Sequence, residues 1–212
     1  MVGVLFDFDG VVVQSEPLHL KTFIEVLAPW NISLTNERWY REFAGTGSRH
    51  ILSLLIKENN LSIDVDSLVA KRKKLYEEYV RKGDLQETPG VRSFLKDLRA
   101  KKIKTAIVSG SHRSNVELAL TMLNLGEYFD LIVSGDDLSV RKPDPYPFLY
   151  AAGKLGLKPK ECIAIEDSLS GMLSVKRANM RLVCVRSQNY TDFGKCDRII
   201  PDFRGISISE LI

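Results

Sequence analysis

Two aspartates with one residue between them, Asp7 and Asp9, end a short apolar run near the start of the chain. Like carboxylates repel, and each resists removal from water. On an extended segment residues i and i+2 point the same way, so both can face one crevice. Polar groups recur where other apolar runs stop. Ser109-Gly110-Ser111 follows one run, Arg141-Lys142-Pro143-Asp144-Pro145 lies in the loop after another, and Glu166-Asp167-Ser168 closes a third. Each taken alone has a plain structural reading as a loop cap, a helix cap or a surface lysine. Gathered on one rim, they supply carboxylates, two hydroxyls and a lysine, with glycines that let backbone N–H groups approach a ligand. Clustered carboxylates of this kind suit Mg²⁺, which takes oxygen donors and offsets the repulsion between the aspartates. One carboxylate could then attack phosphorus, and a second, two residues on, could protonate the leaving oxygen and activate water. A lysine and a hydroxyl could hold the phosphoryl oxygens.

These groups need elements to position them. Lys104–Ser109, Leu131–Ser134, Cys162–Glu166 and Leu182–Val185 read as buried strands. Between them Val91, Phe94, Leu95 and Leu98 repeat at helical spacing, as do Val116, Ala119, Leu120 and Leu123, and Phe148, Leu149, Ala152 and Leu155. Alternating strand and helix predicts an α/β fold, a parallel sheet with helices on both faces, in which ligands bind beyond the carboxyl ends of the strands. The first strand, Val2–Phe6, breaks the rhythm, because the next clear strand begins near Lys104. Helical patterns fill the gap at Pro17–Leu27, Ser48–Asn59 and Asp66–Lys82. The reading is a core of residues 1–13 and 88–212 with a helical insertion over 14–87. Thr88 is expected to cap the returning helix, with Pro89 at its first position. Trp30 and Trp39 are expected in the core of the insertion.

Composition bounds the partners. The chain of 212 residues carries a formal charge of +3, and no basic stretch is interleaved with aromatics, so no nucleic-acid partner is expected. The densest basic run, Lys71-Arg72-Lys73-Lys74, lies in a helical pattern and reads as a solvated face. No apolar run approaches spanning length, so no membrane partner is expected either. The chain reads as entering strand at once, so no charged leader is expected. Cys162, Cys184 and Cys196 have neither zinc spacing nor a disulfide framework, and a reducing cytoplasm is the expected setting.

In order and spacing, "DFDGV", "VSGS", "RKPDP" and "IEDSLSG" resemble the four motifs of the haloacid dehalogenase superfamily, in the branch with β-phosphoglucomutase and the small sugar-phosphate phosphatases. The resemblance covers nearly the whole chain. It implies a Rossmann-like core with a helical cap and hydrolysis of a small-molecule phosphate ester. Asp7 would be the nucleophile and Asp9 the general acid and base. Ser109 and Lys142 would hold the phosphoryl group, with Gly110 and Ser111 beside them. Mg²⁺ would be bound by Asp7, the Asp9 backbone carbonyl and Asp167, with Glu166 either a ligand or one layer further out. In the insertion, Gly45, Thr46 and Gly47 would contact substrate, with His19, while a plain N-cap at Ser48 is the competing reading of that loop. A monomer is the family default. The sequence departs from the pattern at three sites: Gln14 stands where an acid is customary, Asn179 where glycine is, and His112-Arg113 where the mutases carry Lys-Asn. The alternatives to a hydrolase are a phosphosugar mutase, with Arg49, His112 and Arg113 as candidates for gripping a second phosphate, and a phosphoacceptor signalling domain.

Overall fold

A strand that is apolar on both sides needs cover on both faces of its sheet. The computed structural model, which describes residues 3–186 and 196–211, provides it. In chain order the strands are β1 (Gly3–Phe6), β2 (Val13–Gln14), β3 (Gln86–Glu87), β4 (Lys104–Val108), β5 (Leu131–Val133), β6 (Cys162–Glu166), β7 (Arg181–Val185) and β8 (Arg198–Ile200). Val2, expected at the start of β1, lies outside the described residues. Six strands form one parallel sheet in the order β5-β4-β1-β6-β7-β8. The fold is α/β, a Rossmann-like sheet with helices. The central strand β1 pairs Leu5 with Ala106 on one side and Ala164 on the other.

Side-chain alternation in β1 shows how both faces are covered. Leu5 joins a cluster with Phe148, Ala151, Ala152, Met172 and Val175, supplied by helices later in the chain. Its neighbour Phe6 meets Phe94, Phe129 and Phe203, with ring centroids 6.2, 5.7 and 6.3 Å away. Such aromatic contacts add stability beyond the area they bury.

The chain divides into two compact units, Met1–Gln14 with Gln86–Ile212, and Ser15–Leu85. The first contains the sheet. The second holds α1 (Glu16–Leu27), a short α2 (Asn36–Arg38) running into a π-helical turn (Trp39–Phe43), α3 (Ser48–Glu58) and α4 (Val65–Lys82). Its core gathers Phe23, Trp39, Phe43, Ile51, Leu52 and Leu55. Trp39 is buried and donates its indole N–H to Glu16 Oε2 at 2.9 Å. Trp30, expected beside it, is exposed instead, in a one-turn 3₁₀ helix (Ala28–Trp30) that leaves it outside the packed stripe. Asp64 caps α4, accepting from the backbone N–H of Asp66 and Ser67, and Gly83 ends it in left-handed geometry. Arg72 corrects the solvated-face reading of the basic run. It is 6% exposed, its guanidinium lies 4.4 Å from the Phe23 ring centre, and it donates to Ser48 Oγ at 2.8 Å.

Within the first unit, at the points where the chain leaves it and returns, Val13–Gln14 and Gln86–Glu87 pair antiparallel. These two-residue strands are too short to show alternation. Thr88 does not cap the returning helix, because α5 (Val91–Ala100) begins after Gly90, whose φ of +80° only glycine adopts readily. Thr88 is buried, its N–H donates to Val12 O, and its hydroxyl accepts from Gln14 Nε2 at 2.9 Å. Gln14 therefore ties the departing strand to the returning one. Farther along, Asn179 follows α8 (Leu169–Arg177) with a φ of +54° and tolerates the left-handed turn.

The cysteines also differ from expectation. Cys184 in β7 is bonded to Cys196, with Cα atoms 6.0 Å apart. The two lie only 12 residues apart in sequence, and the adjacent parallel strands β7 and β8 return the chain to the same place. Cys162 is a buried free thiol whose burial pushes its pKa up to about 11. At pH 8 only about one molecule in a thousand then carries the thiolate. Iodoacetamide is expected to leave Cys162 unlabelled in the native protein and to label it after denaturation. Rapid native labelling, read by peptide mass, would contradict its burial.

Candidate active site

The carboxyl end of β1 is shaped by backbone hydrogen bonds. Phe8 O accepts from Val12 N–H at 2.9 Å and Val13 N–H at 3.1 Å, and Gly10 N–H donates to Val13 O at 2.8 Å. This tight turn buries Phe8 in the core while Asp7 and Asp9 stand on its polar side. Gly10 adopts a φ of +80°, and a Cβ there would overlap the Asp167 carboxylate. Gly10→Ala is expected to displace Asp167 and lower kcat/KM at least about 100-fold, since an ångström of misplacement can cost that much. Steady-state kinetics on the purified variant checks this, and near-normal activity would contradict it.

Lys142 reaches into the site from the loop after β5. Its Nζ lies 2.6 Å from Asp7 Oδ1 and 2.6 Å from Glu166 Oε1. Glu166 is fully buried at the end of β6. Its Oε2 accepts from the N–H of Asp167 at 3.0 Å, the N–H of Ser168 at 3.2 Å and Ser168 Oγ at 3.0 Å. A Cβ on Gly171 would strike this carboxyl group, so α8 approaches Glu166 closely only because residue 171 is glycine. Ser168, not Asp167, is the N-cap of α8. Asp7, Glu166 and Asp167 each offer an oxygen, and the three lie within 4.8 Å of one another.

The electrostatics follow from crowding. Burial pushes the Asp7 carboxyl up to about 7, while Lys142 pulls it back and Glu166 adds to the rise. Burial pulls the Lys142 ammonium down, but the Asp7 and Glu166 carboxylates outweigh it and hold it above its ordinary value. Lys142 therefore stays charged, and the unfavourable part of the arrangement rests on Asp7.

The second expected motif closes the site at β4. Ser109 N–H donates to Val133 O at 2.9 Å, and Ser109 Oγ accepts from Ser111 N–H at 2.9 Å. Ser111 Oγ donates to Asp9 Oδ2 at 2.6 Å. Next to this loop, the residues after β5 supply a support that the four motifs do not include, Ser134 with Gly135-Asp136-Asp137. Gly135 N–H donates to Ser111 O at 2.9 Å. Asp136 accepts from Arg113 N–H at 2.8 Å and pairs with His112 Nδ1 at 2.7 Å. Asp137 accepts from Ser134 N–H and from Arg113 Nη2, both at 2.6 Å. Its position at a strand's carboxyl end was the signal that could have found it.

The structure thus connects Asp7, Lys142, Glu166 and Asp167 in one cluster, and Asp9, Ser111 and Ser109 in a hydrogen-bonded chain. The other expected substrate contacts belong to the helical unit. Gly45 and Thr46 lie in the loop before α3, where Thr46 Oγ1 donates to Phe43 O at 2.7 Å. Gly47, not Ser48, is the N-cap of α3. His19 stacks on Tyr76, with ring centres 4.7 Å apart, and its Nδ1 faces Arg72 Nη2 at 3.1 Å.

The profile of the haloacid dehalogenase-like hydrolases matches residues 4–185. The chain belongs to that family. This hydrolase is 32% identical over 185 residues to a phosphorylated carbohydrates phosphatase of Thermotoga maritima, covering 86% of the chain and 84% of the relative. It is 28% identical over 219 residues to hexitol phosphatase B of Escherichia coli, covering 100% and 94%. Among solved structures, CbbY of Rhodobacter sphaeroides in complex with phosphate superposes with a TM-score of 0.88 at 22% identity over 100% and 99% of the two chains, a likeness of fold. Among the described residues of the hydrolase, no helix is long and apolar enough to cross a membrane.

Proposed function

We propose that the protein is a Mg²⁺-dependent phosphatase that hydrolyses a small phosphorylated sugar through an aspartyl-phosphate on Asp7. The coarse class, a phosphoric monoester hydrolase, follows from the family and from relatives named phosphatases. The observation that carries the finer reading is the buried bridge from Lys142 to both Asp7 and Glu166, with Asp167 alongside. It leaves a carboxylate, a fixed cation and an oxygen-rich corner facing the same place.

The donor set fits a hard cation. All the candidate ligands are oxygens: the Asp7 and Asp167 carboxylates and the Asp9 backbone carbonyl. Both Glu166 oxygens already accept hydrogen bonds, so Glu166 anchors Lys142 and the Asp167 turn. A Mg²⁺ bound there supplies positive charge that relieves the crowding of the carboxylates and favours negative charge on a phosphoryl group. The chain's own residues do the rest. Asp7 attacks phosphorus as the ester oxygen departs with a proton from Asp9. Asp9 then takes a proton from the water that cleaves the aspartyl-phosphate. Lys142 and the Ser109 hydroxyl hold the phosphoryl oxygens throughout.

In this reading the helical unit acts as a cap that selects the ester through the Gly45–Gly47 loop and His19. The sugar-phosphate class is supported by the names of the two relatives. The mutase alternative needs cations for a second phosphate, and its three candidates are engaged: His112 with Asp136, Arg113 with Asp137 and Glu117, and Arg49 with Asp66. The test is a phosphate-release screen over sugar phosphates, with and without a chelator. Release that depends on Mg²⁺ is expected. With β-glucose 1-phosphate and a trace of the bisphosphate, glucose 6-phosphate accumulating without free phosphate would overturn the hydrolase reading.

A further inference from the structure

We propose that Ser111 is a positioning residue for Asp9, aiming its carboxyl at the leaving group, and does not grip the phosphoryl group. The inference rests on the reading of Asp9 as general acid. Two serines two residues apart divide the work. A serine hydroxyl has one hydrogen to donate. Ser111 gives its hydrogen to Asp9 Oδ2 at 2.6 Å, a length typical of hydroxyl-to-carboxylate bonds. Ser109 Oγ accepts from Ser111 N–H and keeps its own hydrogen for a phosphoryl oxygen. The bond from Ser111 sets the rotation of the Asp9 carboxyl, and with it the direction of Oδ1.

The footing of Ser111 supports this. Gly135 donates to the Ser111 carbonyl, and a Cβ on Gly135 would overlap the Gly110 carbonyl oxygen, so the β5 loop lies flat against the loop that carries Ser111. Asp136 accepts from the first N–H of α6 (Arg113–Met122) and pairs with His112. Asp137 ties Arg113 back to Ser134. A loop braced from below at three successive residues can hold a hydroxyl to the tolerance that proton transfer needs.

The chemistry makes the role separable. When an Asp7 oxygen bonds to phosphorus and the P–O ester bond breaks, the leaving oxygen takes the Asp9 proton and departs as an alcohol. A sugar alkoxide needs that proton, whereas p-nitrophenolate leaves without it. The two esters present the same phosphoryl group. Lost grip on that group lowers kcat/KM equally for both, and a misdirected acid lowers it for the sugar ester alone.

The experiment compares kcat/KM for wild type, Ser111→Ala, Ser111→Thr and Asp9→Asn on p-nitrophenyl phosphate and on a hexose phosphate that the wild type hydrolyses. Ser111→Ala is expected to lose about 10-fold or more on the hexose phosphate, part of the about 10²–10⁴-fold that a well-placed general acid supplies, and about 3-fold or less on p-nitrophenyl phosphate. Ser111→Thr, which keeps a hydroxyl, is expected to recover most of the loss. Equal losses on both esters for Ser111→Ala, with Asp9→Asn still selective, would overturn the role given to Ser111 and leave Asp9 as the acid. An Asp9→Asn variant with equal losses on both esters would overturn the acid reading itself, and the Ser111 role with it.

Discussion

Asp7→Asn is expected to lower turnover at least about 10⁴-fold, the scale on which removing a covalent nucleophile acts. The amide keeps the shape of the carboxyl group but cannot form the aspartyl-phosphate. The variant is expected to fold normally, because burial already pushes the Asp7 carboxyl toward its neutral form. A neutral amide removes the desolvation that raises it, although Lys142 loses one of its two carboxylate partners. Phosphate release and thermal melts in chelator read the two effects separately. A variant with wild-type turnover would remove Asp7 from the chemistry.

Lys142→Met is expected to cost both activity and stability. The side chain is 12% exposed and serves two buried carboxylates, so its loss leaves charge without its partner. Removing one member of a buried pair typically costs about 3–5 kcal/mol. The pH dependence has a defined sign. Asp7 has a raised pKa in the folded protein, so the folded state holds more protons than the unfolded chain above about pH 4. The contribution of Asp7 to stability therefore falls as pH rises from about 4 through 7, and removing Lys142 takes away the pull that holds the Asp7 carboxyl down. In chelator, the gap in melting temperature between variant and wild type is expected to widen from pH 5 to pH 8. Activity is expected to fall at least about 100-fold, as for loss of a group that stabilises transferring charge. A gap that narrows with rising pH would mean that Lys142 does not offset the Asp7 charge.

Much of the sheet and of the candidate site was legible because strands declare themselves by apolar runs and ligands gather at their carboxyl ends. That rule leads to Asp7, Ser109 and Glu166, which lie in or just beyond β1, β4 and β6, and to the loop after β5, which carries Lys142. Other features depended on tertiary context. Arg72 sits in a run of four cations, and nothing local marks the one that turns inward onto Phe23. β8 is three residues long at the sheet edge and β2 and β3 are two each, too short for a period to show. Thr88-Pro89-Gly90 carries good capping residues, yet Gly90 takes the left-handed turn and moves the helix start to Val91. Gly135 to Asp137 directly follow the strand read over Leu131–Ser134 and obey the strand-end rule, but an isolated pair of aspartates in a loop carries no local sign of the backbone N–H groups it accepts from. The Cys184–Cys196 bond required knowing that β7 and β8 are neighbours.

The decisive measurement is chemical trapping of the covalent intermediate. The enzyme is mixed with a hexose phosphate and Mg²⁺, quenched with acid within the first turnover, and reduced with borohydride, which converts an aspartyl-phosphate to homoserine. Peptide mapping is expected to find homoserine at position 7, dependent on both substrate and Mg²⁺. Full phosphate release with an unmodified Asp7 peptide at every quench time would contradict the account.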